Sequence, residues 1–211
     1  MISPELQKYC EQHTSPPSEI LKYIERQTHL HMLMPHMISG HLQGQFLAFV
    51  SAMLKPKLVL EIGTFTGYAT ICLAEGLSPE GKIVTIEKNE ELQPKLLTYF
   101  SKANLQHKID LRIGLAAEII PTLPYTFDLV FIDADKKNNA LYYDLVWEKV
   151  ALGGFILIDN VLWHGKVIEQ KKDTETQAIH DLNQKIQQDQ RVKNLLLPLR
   201  DGLMLVQKIR P

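Results

Sequence analysis

Cysteine is scarce. Two stand in 211 residues, Cys10 and Cys72, far apart in the chain. A cytoplasmic protein without disulfides is the simplest reading, with Cys72 a core thiol inside an apolar helical pattern. An excess of charge is also lacking: the formal net charge is −1, which argues against a nucleic-acid or polyanion binder. No apolar run approaches the roughly 20 residues that span a bilayer, so no membrane partner is expected. The opening residues, 1–8, lack a basic stretch followed by an apolar one, so no secretory signal is expected there. Internal repeats, low-complexity segments and long linkers are missing too. What is present is ordinary for a globular chain, with 45% hydrophobic and 22% charged residues, and predicts one domain over 1–211 with a full core.

Patterning divides that domain into a helical segment, 1–55, and an α/β core, 56–211. Helices are expected over 18–32 and 41–54, around a loop at 34–40 that holds Pro35 and Gly40. From Lys57 onward strands and helices alternate. Strands are predicted at 58–62, 83–87, 109–113, 127–132 and 153–159. Helices fall at 67–77, 90–103, near Ala116, at 138–150 and at 176–188. Residues 192–198 and 203–209 form a hairpin across Asp201-Gly202. The fold class is therefore α/β: a Rossmann-like doubly wound seven-stranded sheet, mostly parallel, with an antiparallel C-terminal edge hairpin and added N-terminal helices.

Two of these strands end in acid. Phe127-Asp128-Leu129-Val130-Phe131-Ile132 runs into Asp133, and Phe155-Ile156-Leu157-Ile158 runs into Asp159-Asn160. Apolar runs of this kind read as strands buried on both faces. One helix between them makes them parallel and neighbouring. Asp133, Asp159 and Asn160 then emerge together at the carboxyl edge, where open α/β sheets take ligands. Three hard oxygen donors there suit a divalent cation such as Mg²⁺, Mn²⁺ or Ca²⁺; the alternative is a set of helix caps.

A glycine loop, Glu61-Ile62-Gly63-Thr64-Phe65-Thr66-Gly67-Tyr68, follows the first strand. Gly63 permits a tight turn and close ligand approach, and Gly67 allows a helix to start against the ligand. Phe65 stands where a dinucleotide fingerprint needs glycine, which favours a smaller nucleoside. Glu87, ending the second strand, is placed to accept both ribose hydroxyls.

Together these stretches resemble the cation-dependent class I O-methyltransferases that use S-adenosylmethionine. That family includes catechol and caffeoyl-CoA O-methyltransferases, and its bacterial small-molecule branch looks nearest. The resemblance runs from about Met37 to the C-terminus. It rests also on the stretch from Met37-Ile38-Ser39-Gly40 to Leu47, on Phe131-Ile132-Asp133-Ala134-Asp135-Lys136, on Ile158-Asp159-Asn160-Val161-Leu162-Trp163 and on Leu197-Pro198-Leu199-Arg200-Asp201-Gly202. It implies metal ligation by Asp133, Asp159 and Asn160. It implies cofactor contacts at Met37, Ser39, Glu61, Gly63, Tyr68, Glu87, Ala116 and Asp133, and catalysis by Asp133 with Lys136 as general base. Lys136 could instead be a solvated amine or an ion-pair partner of Asp135. Asn139 stands where many members carry an aromatic residue, and 169–175 is shorter than the plant insertion that holds a CoA substrate. The resemblance further implies a homodimer.

Trp163 and His164 follow the metal pair directly. An aromatic there could wall a flat acceptor ring, or be a core tryptophan beside an exposed histidine. His31, His36 and His41 recur every five residues, a spacing that does not share one helical face. The function expected is methyl transfer to a hydroxyl of a small catechol-like acceptor. The alternatives are a metal-independent small-molecule methyltransferase, a nicotinamide-dependent oxidoreductase and a non-catalytic binding protein on the same fold.

Overall fold

Seven short strands, most of them rich in aliphatic residues, form one sheet. They are β1 (Leu58–Ile62), β2 (Lys82–Glu87), β3 (Ile109–Ile113), β4 (Phe127–Ile132), β5 (Val150–Asp159), β6 (Val192–Leu197) and β7 (Leu203–Lys208). Their order is β3-β2-β1-β4-β5-β7-β6, and β7 alone runs against the other six. This is the Rossmann-like arrangement expected. The computed structural model describes residues 3–211; Met1 and Ile2, which open the segment read as no secretory signal, lie outside the described residues. Among the described residues eight α-helices accompany the strands: α1 (Pro4–Gln12), α2 (Glu19–His31), α3 (Gly40–Leu54), α4 (Tyr68–Ala74), α5 (Gln93–Lys102), α6 (Ala116–Thr122), α7 (Asn139–Trp147) and α8 (Thr174–Gln188). Among the described residues no helix is long and apolar enough to cross a membrane.

The chain divides into two compact units. The first comprises Leu58–Gly63 and Leu115–Pro211. Its centre is β4, where Phe127, Leu129, Val130, Phe131 and Ile132 are all fully buried, as a strand covered on both faces must be. Ile132 pairs with Ile62 of β1 on one side and Ile158 of β5 on the other. The sequence places the start of β5 at Gly153, but pairing begins at Val150, opposite Phe127. The register shifts between Phe127 and Leu129, and Gly153 at φ +83° lies beside that irregularity. Correspondingly α7 stops at Trp147 rather than continuing to 150. The Lys208 ammonium closes this corner by donating to the carbonyls of Trp147 (2.9 Å) and Val150 (3.2 Å). The C-terminal hairpin is present, with a refinement: β7 inserts between β5 and β6, so β6 is the outer strand.

The second unit comprises residues 3–57 and Thr64–Gly114. Helix α4 is buried at every position. It packs on α3 where Gly44 has no side chain: a Cβ there would lie 2.6 Å from Tyr68 Cε1. Helix α2 turns Leu21, Ile24 and Thr28 inward, a helical i, i+3, i+7 stripe. Helix α1 has no buried residue, and its Leu6 and Tyr9 are exposed.

Candidate active site

In the first unit, β1 ends at Ile62 and turns at Gly63. The Asp133 N–H donates to the Ile62 carbonyl (2.9 Å). A Cβ on Gly63 would fall 2.1 Å from the Asp133 carbonyl oxygen, and its φ is +99°. Glycine is required here by close backbone approach as well as by the turn. Glu61, opposite Phe131, is fully buried within β1.

Asp133 follows the end of β4 and Asp159 is the last residue of β5, each one residue beyond the paired Ile132 and Ile158. Neighbouring strands lie about 4.8 Å apart, so the two carboxylates share one level at the carboxyl edge. Asp159 is buried and its Oδ1 accepts the Asn160 N–H (2.8 Å). Asn160 sits in the left-handed region at φ +61°, which an asparagine tolerates better than most residues. Two carboxylates and an amide carbonyl are hard oxygen donors, a set that fits Mg²⁺, Mn²⁺ or Ca²⁺. Among the described residues there is no cluster of three or more His, Cys, Asp or Glu side chains that could hold a metal; this set counts two carboxylates plus Asn160.

Lys136 begins a short 3₁₀ turn, Lys136–Asn138. Its ammonium donates to Asp133 Oδ1 (2.7 Å) with both side chains mostly buried. The alternative partner, Asp135, is engaged elsewhere. Its Oδ1 accepts the Tyr142 hydroxyl (2.7 Å) and its Oδ2 accepts the Asn138 amide. Burial first, then the hydrogen bond and charge of Asp135, push the Tyr142 phenol up to about 12. The one signal for this clamp in the sequence is spacing: Asp135 stands three residues before Asn138 and seven before Tyr142.

The chain after Asn160 doubles back. Val161 and Leu162 donate N–H groups to the carbonyls of Gly202 (3.2 Å) and Asp201 (2.9 Å). Trp163, His164 and Gly165 follow in the left-handed region. Trp163 is half-buried and its ring lies 5.6 Å from that of His164, so it is neither a core residue nor fully exposed. Ala116 is buried at the first position of α6, behind an exposed Leu115.

In the second unit the glycine loop continues from Thr64. Thr64 Oγ1 and Thr85 Oγ1 of β2 are 2.5 Å apart. Thr66 Oγ1 accepts the Thr28 hydroxyl of α2 (3.0 Å). Phe65, at φ +49°, donates its N–H to Glu87 Oε2 (2.7 Å), and Asn89 donates to Glu87 Oε1 (2.9 Å). Glu87 thus organises the loop. A carboxylate has about four acceptor sites, so two remain for hydroxyls. Gly67 has a different reason from the one the sequence suggested. A Cβ there would lie 2.8 Å from Phe100 Cε1, so helix packing, at φ +77°, excludes a side chain. Tyr68 is buried against Gly44, and burial pushes its phenol well above the usual range. Met37 is half exposed and Ser39 is buried, on the segment leading into α3. His41 donates its Nε2–H to the Ser15 carbonyl (2.7 Å), tying down the preceding segment.

The O-methyltransferase family model matches residues 11–209. "Probable caffeoyl-CoA O-methyltransferase 2" of Dictyostelium discoideum is 34% identical over 95% of this chain and 88% of its own length. "Catechol O-methyltransferase domain-containing protein 1" of Mus musculus is 38% identical over 79% of this chain and 66% of its own. A crystal structure of the Bacillus cereus O-methyltransferase in complex with SAH superposes with a TM-score of 0.89, at 29% identity and 97% coverage of each chain. With the sheet order and the acidic strand ends already in place, these matches make the chain a member of the O-methyltransferase family.

Proposed function

We propose that this protein transfers a methyl group from S-adenosylmethionine to one hydroxyl of a small vicinal dihydroxy aromatic, with a divalent cation held by Asp133, Asp159 and Asn160. The observation that carries the reading is the pair of in-register carboxylates beyond Ile132 and Ile158, with the Lys136 ammonium 2.7 Å from one of them. The Bacillus cereus neighbour binds SAH, and the Mus musculus relative is named for catechol.

In this reading Glu87 accepts the ribose hydroxyls while Gly63 lets the donor approach the backbone. Met37, Ser39, Glu61, Tyr68 and Ala116 complete the donor's surroundings. A phenol titrates near about 10, so at neutral pH its proton must be removed. A bound cation would lower that pKa and fix both oxygens. Lys136, held on Asp133 while Asp135 is engaged by Tyr142 and Asn138, would in its neutral amine form take the proton as general base. Trp163 would wall the acceptor ring. The short stretch 169–175 supports a small acceptor over a CoA thioester. A homodimer and a cytoplasmic location belong to the same proposal, and sedimentation equilibrium checks the first.

Asp159→Ala should cut methylation of catechol by at least about 100-fold, and EDTA should do the same to the unaltered protein. A metal-independent methyltransferase is the second reading, favoured by the Lys136 ammonium already neutralising Asp133. Turnover that survives both treatments would select it.

A further inference from the structure

We infer that His164 and Asp201 form a carboxylate-recognition element, so that the preferred acceptor is a vicinal dihydroxy aromatic bearing a carboxylate. This rests on the methyl-transfer reading above. Trp163, His164 and Gly165 lie at φ +47°, +55° and +81°. A tryptophan and a histidine hold that conformation only when their surroundings over-determine it, and such residues gather at ligand sites. Here the surroundings do so. Gly165 donates its N–H to the Leu162 carbonyl (2.9 Å), and His164 donates its N–H to Asp201 Oδ1. Leu162 fills the place of a Gly202 side chain, whose Cβ would sit 2.5 Å from Leu162 Cγ.

The outcome is a fixed histidine with a free ring. The His164 side chain is 66% exposed, and its Nδ1 lies 3.7 Å from the Asp201 Oδ1 that holds its backbone. Asp201 is only 9% exposed, and its Oδ2 is buried without a hydrogen-bond partner. With Nδ1 toward Asp201, Nε2 lies on the far side of the ring. In its imidazolium form His164 then offers an outward N–H donor beside the Trp163 ring, in the segment that begins at Asp159-Asn160. An acceptor whose hydroxyls reach those ligands can set an anionic substituent against that donor, a charge-assisted hydrogen bond. The nearby Lys166 faces Asp173 instead, at 3.8 Å.

The test compares kcat/KM for 3,4-dihydroxybenzoate, its methyl ester and catechol. The unaltered enzyme should prefer the acid to the ester by about tenfold. His164→Gln should abolish the preference while leaving ester and catechol within about twofold, and His164→Lys should retain it. Calorimetric binding of the acid and the ester should give the same contrast without turnover. Equal use of acid and ester, or a His164→Gln loss shared by all three acceptors, overturns the inference. Failure of the unaltered protein to methylate any of the three with S-adenosylmethionine and Mg²⁺ overturns the underlying reading instead, and the binding contrast at His164 is decided separately.

Discussion

At Gly63 the backbone leaves no room for a side chain. The Asp133 carbonyl oxygen occupies the place of a Cβ, at 2.1 Å. Gly153 has a comparable φ, +83°, with nothing within 4 Å of the same point. The two positions separate crowding from backbone strain. Gly153→Ala should cost about 1 kcal/mol, the left-handed penalty alone, and Gly63→Ala more than about 3 kcal/mol because backbone must move as well. Urea denaturation measures both, and equal losses would reject the crowding account. Gly63, Glu87, Asp133 and Asp159 were legible as candidates because each stands where a strand meets a loop, and the structure places each at such a strand end. Asp201, Tyr142 and Asn138 were not. Asp201 acts through a hydrogen bond to His164, remote in the chain, and Tyr142 and Asn138 act through hydrogen bonds to Asp135 that spacing alone marks.

Among the elements, strands buried on both faces announced themselves, and β1 and β3 have the bounds their apolar runs imply. The start of β5 did not, since a register shift at Phe127 and glycines at 153 and 154 disguise pairing as a turn. The end of α8 offers a pH test. Asp189, its C-cap, accepts the Arg191 guanidinium at Oδ1 (2.9 Å) and Oδ2 (2.7 Å) and the Arg191 N–H at Oδ1 (2.9 Å). The guanidinium first, then the N–H, hold its carboxyl below the usual range. A folded pKa below the unfolded value of about 3.9 stabilises the protein above that pH, and the stabilisation fades as pH falls through the folded pKa. Asp189→Asn should therefore lower Tm at pH 7, with the deficit shrinking below about pH 4. Thermal melts across that range measure it, and a deficit independent of pH would exclude a charge effect.

For the whole molecule, the two thiols report on global opening. Cys72 is 1% exposed inside α4, while Cys10 is partly accessible. A thiol reagent should label Cys10 readily and Cys72 only through unfolding. Binding S-adenosylhomocysteine at a hundredfold its Kd should stabilise the fold by about 2.7 kcal/mol and slow Cys72 labelling about 100-fold. Labelling unaffected by that ligand would count against donor binding. The insertion of β7 between β5 and β6 bears on biosynthesis. Asp159 pairs with Leu203, and the backbone after Asn160 is held by Asp201 and Gly202. A ribosome has long finished β5 when those partners are translated. A nascent chain that stops at β5 therefore still lacks the partners that hold the Trp163–His164 corner, and under the proposed reading acceptor recognition would be among the last properties the growing polypeptide acquires.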